Sequence, residues 1–135
     1  DSEIGAIFVG RVAGNIENVD KLGSMEFAAG VKLVMVLGHE ACGAVRGACD
    51  DVKLGNLTKL LAKIKPAIDS VEGHDGERNS MNKEFVDKVI EANVRQTISD
   101  IRKRSDLLAS MDEEGEIKIV GAIYPLHTGE VTLLD

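Results

Sequence analysis

Apolar and polar positions along the chain follow two different periods. Val31–Gly38 (VKLVMVLG) is apolar throughout except for Lys32, the pattern of a strand covered on both faces and usually parallel to its neighbours. Ala6–Val12 (AIFVGRV) is a shorter run that reads as another strand, and Gly14-Asn15 signals a turn after it. Ile117–Tyr124 (IKIVGAIY) predicts a further strand. Thr128-Gly129 then turns the chain into a last one, Val131–Leu134, so that the pair forms a hairpin.

Between these runs the period lengthens to that of a helix. KLGSMEFAAG is briefly helical and stops at Gly30. ACGAVRGACDD predicts a short helix in which Gly43 and Gly47 permit close packing. In NLTKLLAKIKPAID, Leu57, Leu60, Leu61, Ile64 and Ile68 fall on one stripe, and Pro66 ends or kinks the helix. Ser70–Asn82 is polar and without a period. The longest helix is predicted from Lys83 to Arg104, with Phe85, Val86, Val89, Ile90, Val94, Ile98 and Ile101 as its stripe. Ser105 can cap a further short helix that stops at Gly115.

Strands that alternate with helices imply an α/β fold. The expected architecture is a mostly parallel central sheet flanked by helices, with a C-terminal antiparallel edge strand. Ligands in such sheets bind beyond the carboxyl ends of the strands.

Composition narrows the function classes. The chain of 135 residues suits one domain, with 44% apolar and 29% charged residues. Its apolar runs fall short of the ~18 residues that cross a membrane, and DSEIGAIFVG lacks the basic region of a signal peptide. The net charge of −7 disfavours a nucleic-acid surface. Arg102-Lys103-Arg104 is placed where cations favour a helix C-terminus. If Cys42 and Cys49 share a helix, roughly 10 Å of rise separates them, beyond disulfide reach. Two free thiols suggest a reducing compartment, hence a cytoplasmic location.

The candidate chemistry sits at the exit of the clearest strand. His39 and Cys42 stand three residues apart in LGHEACGAV. Zn²⁺ accepts imidazole nitrogen and thiolate sulfur, and a strand-to-helix turn can aim both at one point. Two ligands do not close a site, however. The pair alone reads either as part of a metal centre or as a hydrogen-bonded histidine beside a buried cysteine. His74 and His127 read as solvated side chains, and Asp50-Asp51 and Asp112-Glu113-Glu114 as solvated helix ends. GRVAGN is not a full G-x-G-x-x-G, and neither Ser24 nor Ser80 has a base nearby in sequence.

IFVGRVAGNI, GSMEFAA, VKLVMVLGHEACGAVRGA, EANVRQTI and IKIVGAIYPLHTGEVTLL occur in that order. Together they resemble the β-class carbonic anhydrases over essentially the whole chain. The resemblance implies a Zn²⁺ cofactor held by two cysteines and one histidine, with His39 as the histidine and Cys42 as the second cysteine. It implies reversible hydration of carbon dioxide to bicarbonate, and a homodimer or higher homo-oligomer. Phe8 and Ala13 fall where the family lines an apolar CO2 pocket. Phe27 falls where some members have tyrosine, and the Gly43 N–H where bicarbonate is received. Without the resemblance, Phe8 and Phe27 read as core.

The family's first cysteine belongs to a C-x-D-x-R motif whose Asp and Arg act on the zinc ligand. That motif stands shortly before the segment matching DSEIGAIFVG, so no catalytic residue is assigned within this chain. The strand carrying it lies between those equivalent to Ala6–Val12 and Val31–Leu37. Only Ala29-Gly30 separates GSMEFA from VKLVMV, where the family's helix is about one turn longer. The expectation is a single domain over residues 1–135 that is incomplete at its N-terminus. The alternatives are a related zinc hydrolase of a CO2 analogue (CS2 or COS), or an inactive scaffold lacking the first cysteine and the Asp–Arg pair.

Overall fold

A computed structural model describes residues 5–28 and 30–135. Ala29, and with it part of the shortened-helix reading, lies outside the described residues, as do residues 1–4. A 3-10 turn at Ala13–Asn15 leads into helix α1 (Val19–Phe27), strand β1 (Leu33–His39) and helix α2 (Gly43–Cys49). Helices α3 (Gly55–Ala62), α4 (Lys65–Ser70), α5 (Lys83–Arg104) and α6 (Asp106–Glu113) follow, then strands β2 (Lys118–Tyr124) and β3 (Thr132–Leu134).

The strand order is β1-β2-β3. β1 and β2 are parallel, in register from Leu33 opposite Lys118 to His39 opposite Tyr124. β3 returns antiparallel on β2. The mixed α/β sheet and the antiparallel edge are as the apolar runs predict.

Helix α5 organises the packing, and its ends are written locally. The Asn82 side chain accepts from Phe85 N at 3.2 Å. Ser105 closes α5 and caps α6 by accepting from Leu108 N at 3.2 Å. Pro66 lies in the first turn of α4, where a missing N–H is harmless, so it starts a helix after the break. One core gathers Val45, Leu61, Ile64, Phe85 and Val89 between α2, α3, α4 and α5. A second gathers Val36, Val94, Ile101, Leu108 and Ile119 between the sheet, α5 and α6.

Two expectations are corrected. Ala6–Val12 is not a strand: Ile7, Phe8 and Val9 are exposed and no ladder includes them among the described residues. A run of β-prone residues becomes a strand only against a partner, and among the described residues β1 is paired on one edge only. β1 is also covered on one face rather than both. Val36 and Gly38 face α5, while Leu33, Met35 and Leu37, on the alternate face, remain exposed.

Candidate metal centre

Strand β1 carries His39 to the carboxyl end of the sheet. The backbone N–H of Glu40 donates to the Tyr124 carbonyl at 3.1 Å, which continues the parallel pairing one residue past the strand. Ala41 then turns the chain with φ of 53°, in the left-handed region that favours glycine. Cys42 is the N-cap residue of α2, and its carbonyl accepts from Arg46 N at 2.9 Å. A strand end, a two-residue turn and a helix start therefore place His39 and Cys42 on either side of one short turn.

The imidazole of His39 is exposed, with Nδ1 2.7 Å from the Glu40 carbonyl oxygen. A carbonyl can only accept, so Nδ1 carries the ring proton and Nε2 keeps the lone pair. Metal-ligating histidines are typically oriented in this way. Cys42 is a free thiol only 4% exposed, in contact with the α2–α5 core. The donor types suit zinc, and the hydrogen bond on His39 leaves the correct nitrogen available. Among the described residues, no three His, Cys, Asp or Glu side chains form a group that could hold a metal ion. Two donors are present where a zinc shell needs more.

The other predicted site residues are placed less closely. Gly43 opens α2 beside the pair, and a Cβ built there would meet nothing within 4 Å. Phe8 and Ala13 are exposed on the segment before α1, and Phe27, the last residue of α1, is 89% exposed. Phe8 and Phe27 are thus not core residues: the described part of the fold supplies no layer over them.

Among the described residues, Cys49 completes no such group with His39 and Cys42. It ends α2, and burial, followed by the charge of Asp50, pushes its thiol up to about 11. It does not pair with Cys42, as the spacing predicts.

Glu40 carries no signal along the chain that marks it as part of this region. Its Oε2 accepts from Leu126 N at 3.2 Å and lies 3.2 Å from His127 Nδ1, tying the segment after β2 to the residue that follows His39. His127 is therefore anchored although exposed. His74 is also less free than its polar loop suggests: Asn82 Nδ2 lies 2.9 Å from its Nε2, and its ring leans on Phe85. Neither contact carries a sequence pattern, because each depends on how the chain folds back and not on a regular spacing.

The carbonic anhydrase family model matches residues 1–131. Carbonic anhydrase 2 of Mycobacterium tuberculosis is 30% identical over 143 residues, covering 100% of this chain and 66% of the relative. The structure of the β-carbonic anhydrase CcaA superposes with a TM-score of 0.81 at 25% identity, over 99% of this chain and 65% of that one. Two tetrameric β-carbonic anhydrases from Sordaria macrospora share the fold, with a TM-score of 0.80 at 23% identity over 98% of this chain and 70% of theirs. The chain spans about two thirds of the length of the curated relatives it matches.

Proposed function

The chain belongs to the β-class carbonic anhydrase family, and on that premise we propose that its protein uses Zn²⁺ to interconvert carbon dioxide and bicarbonate. His39 Nε2 and Cys42 Sγ would hold the metal, with a further donor from outside these 135 residues. When bound, zinc would supply a Lewis acid that makes water nucleophilic near neutral pH. The observation that carries the reading is the His39 ring, held through Nδ1 by the Glu40 carbonyl at 2.7 Å so that Nε2 is free. The Gly43 N–H, beside open space, would receive a bicarbonate oxygen. Phe8, Ala13 and Phe27 would form the apolar wall for carbon dioxide once covered.

The cover would come partly from a second copy of the protein. Leu33, Met35 and Leu37 expose one face of β1, and Leu133 of β3 is exposed as well. A contiguous apolar face of this kind supports a homodimer or higher homo-oligomer. Among the described residues no helix is long and apolar enough to cross a membrane. Two unpaired cysteines support a reducing, cytoplasmic setting.

The test is carbon dioxide hydration by the whole protein with and without His39→Gln. The variant should lose its zinc and, with it, the zinc-dependent rate. An unchanged rate would overturn the assignment. A second reading, a catalytically inactive scaffold, is favoured by the lack of a third donor among the described residues. It predicts no zinc and no hydration by the whole protein. Parallel assays with CS2 and COS separate the related hydrolase.

A further inference from the structure

Helix α5 carries a second stripe besides its apolar one. Asn93, Gln96, Thr97, Asp100 and Arg104 recur at helical spacing and line a cleft of about 310 Å³ against Glu17 and Lys63. The stripe is polar, yet parts of it are deeply buried. Asn93 is 1% exposed and Glu17 is 6% exposed.

Most polar groups here are matched. Asn93 Nδ2 donates to the Gly14 carbonyl at 2.6 Å, Gln96 Nε2 donates to Asp100 Oδ1 at 2.8 Å, and Arg104 Nη1 donates to Glu17 Oε1 at 2.5 Å. Two buried atoms lining the cleft have no partner: Glu17 Oε2 and Asn93 Oδ1. Both are acceptors. The orientation of Asn93 is fixed, because its Nδ2 is held by the Gly14 carbonyl. A third buried atom without a partner, Asn15 Nδ2, belongs to a residue outside the lining.

Buried acceptors need donors, and a buried carboxylate needs compensating charge. Glu17 has one cationic partner, on one of its two oxygens. An occupant that satisfies both free atoms must donate at least two hydrogen bonds and is favoured if cationic. A divalent metal suits the cleft poorly. The free donors number one carboxylate oxygen and one amide oxygen, too few for the oxygen shell of a divalent ion. The volume lies at the small end of ligand pockets.

We propose that this cleft is a binding site for the primary ammonium group of a small aliphatic amine, held by Glu17 Oε2 and Asn93 Oδ1. An –NH3⁺ group directs three N–H bonds into a fan, and the Thr97 hydroxyl lines the same cleft as a third acceptor. Binding joins the loop at residues 14–17 to α5, so it stabilises the fold by linkage. The site is separate from the candidate metal centre and stands whether or not the zinc reading does.

The test is an NMR titration of the isotope-labelled protein with methylammonium chloride, with tetramethylammonium chloride and sodium chloride as references at equal ionic strength. Methylammonium should shift the side-chain amide signals of Asn93 and Gln96 saturably and raise the thermal midpoint. Tetramethylammonium, which has no N–H, should do neither. Glu17→Gln should weaken the methylammonium response at least about tenfold, because the charge is lost and the shape is kept. The comparison of the cations needs no variant, so it decides the matter even if Glu17→Gln fails to fold. A response that tetramethylammonium or sodium reproduces, the absence of any saturable response, or undiminished binding by a folded Glu17→Gln protein overturns the proposal.

Discussion

Gly38 of β1 lies directly against Val94 of α5: a Cβ on Gly38 would stand 2.7 Å from Val94 Cγ2. The same added atom would come within 3.2 Å of Ile123 Cδ1. The glycine is thus a contact surface for the helix, one residue before His39. Gly38→Ala should destabilise the protein by about 1–3 kcal/mol, the cost of overpacking a filled core. Urea unfolding measures it, and an unchanged midpoint would contradict the close approach.

Ala41 carries the turn between His39 and Cys42 at a φ of 53°. An alanine in the left-handed region is disfavoured by about 1–2 kcal/mol, and glycine removes that penalty while adding chain entropy to the unfolded state. Ala41→Gly should therefore raise stability by up to about 1 kcal/mol in the same assay. A loss of stability would show that the Ala41 methyl makes contacts that outweigh the strain.

The parts that could be read from the sequence are those whose cause is local. Helix α5 runs from Lys83 to Arg104 as its stripe predicts, because Asn82 and Ser105 write its ends beside it. His39 and Cys42 could be read as flanking one turn because only Glu40 and Ala41 stand between them. Ala6–Val12 has the composition of a strand but not the partner, and a partner is a distant fact. Asn93 and Thr97 were invisible as buried residues: the apolar period marks the faces that exclude water, not the polar side chains trapped between them. The Glu40 bridge to Leu126 and His127 joins residues more than eighty positions apart and leaves no pattern along the chain.

Burial raises the Cys49 thiol to about 11 from an ordinary value of 9.0, and Asp50 adds to the shift. The folded protein thus holds a proton that the unfolded chain has begun to lose. This contribution to stability is complete below pH 9.0, declines as pH rises and is lost near pH 11. Peptide-resolved alkylation against pH should place the Cys49 midpoint near 11 in the native protein, and Asp50→Asn should move it downward. A midpoint at the ordinary value would show that the thiol is solvated.

The apolar face of β1 gives a test of assembly. Leu37 is exposed on that face, so Leu37→Glu leaves the described core intact. If the face is an interface, the variant should sediment at a lower mass than the parent, with an unchanged far-ultraviolet spectrum. Equal masses in the two proteins would place any interface elsewhere.

The zinc proposal stands on His39 and Cys42 being two ligands of one ion. Anomalous X-ray scattering at the zinc edge, on crystals of the whole protein, tests it most directly. One strong peak is expected at the turn after β1, within bonding distance of His39 Nε2 and Cys42 Sγ, with another donor completing the shell. A zinc peak elsewhere, or no peak from protein crystallised with zinc, would contradict it.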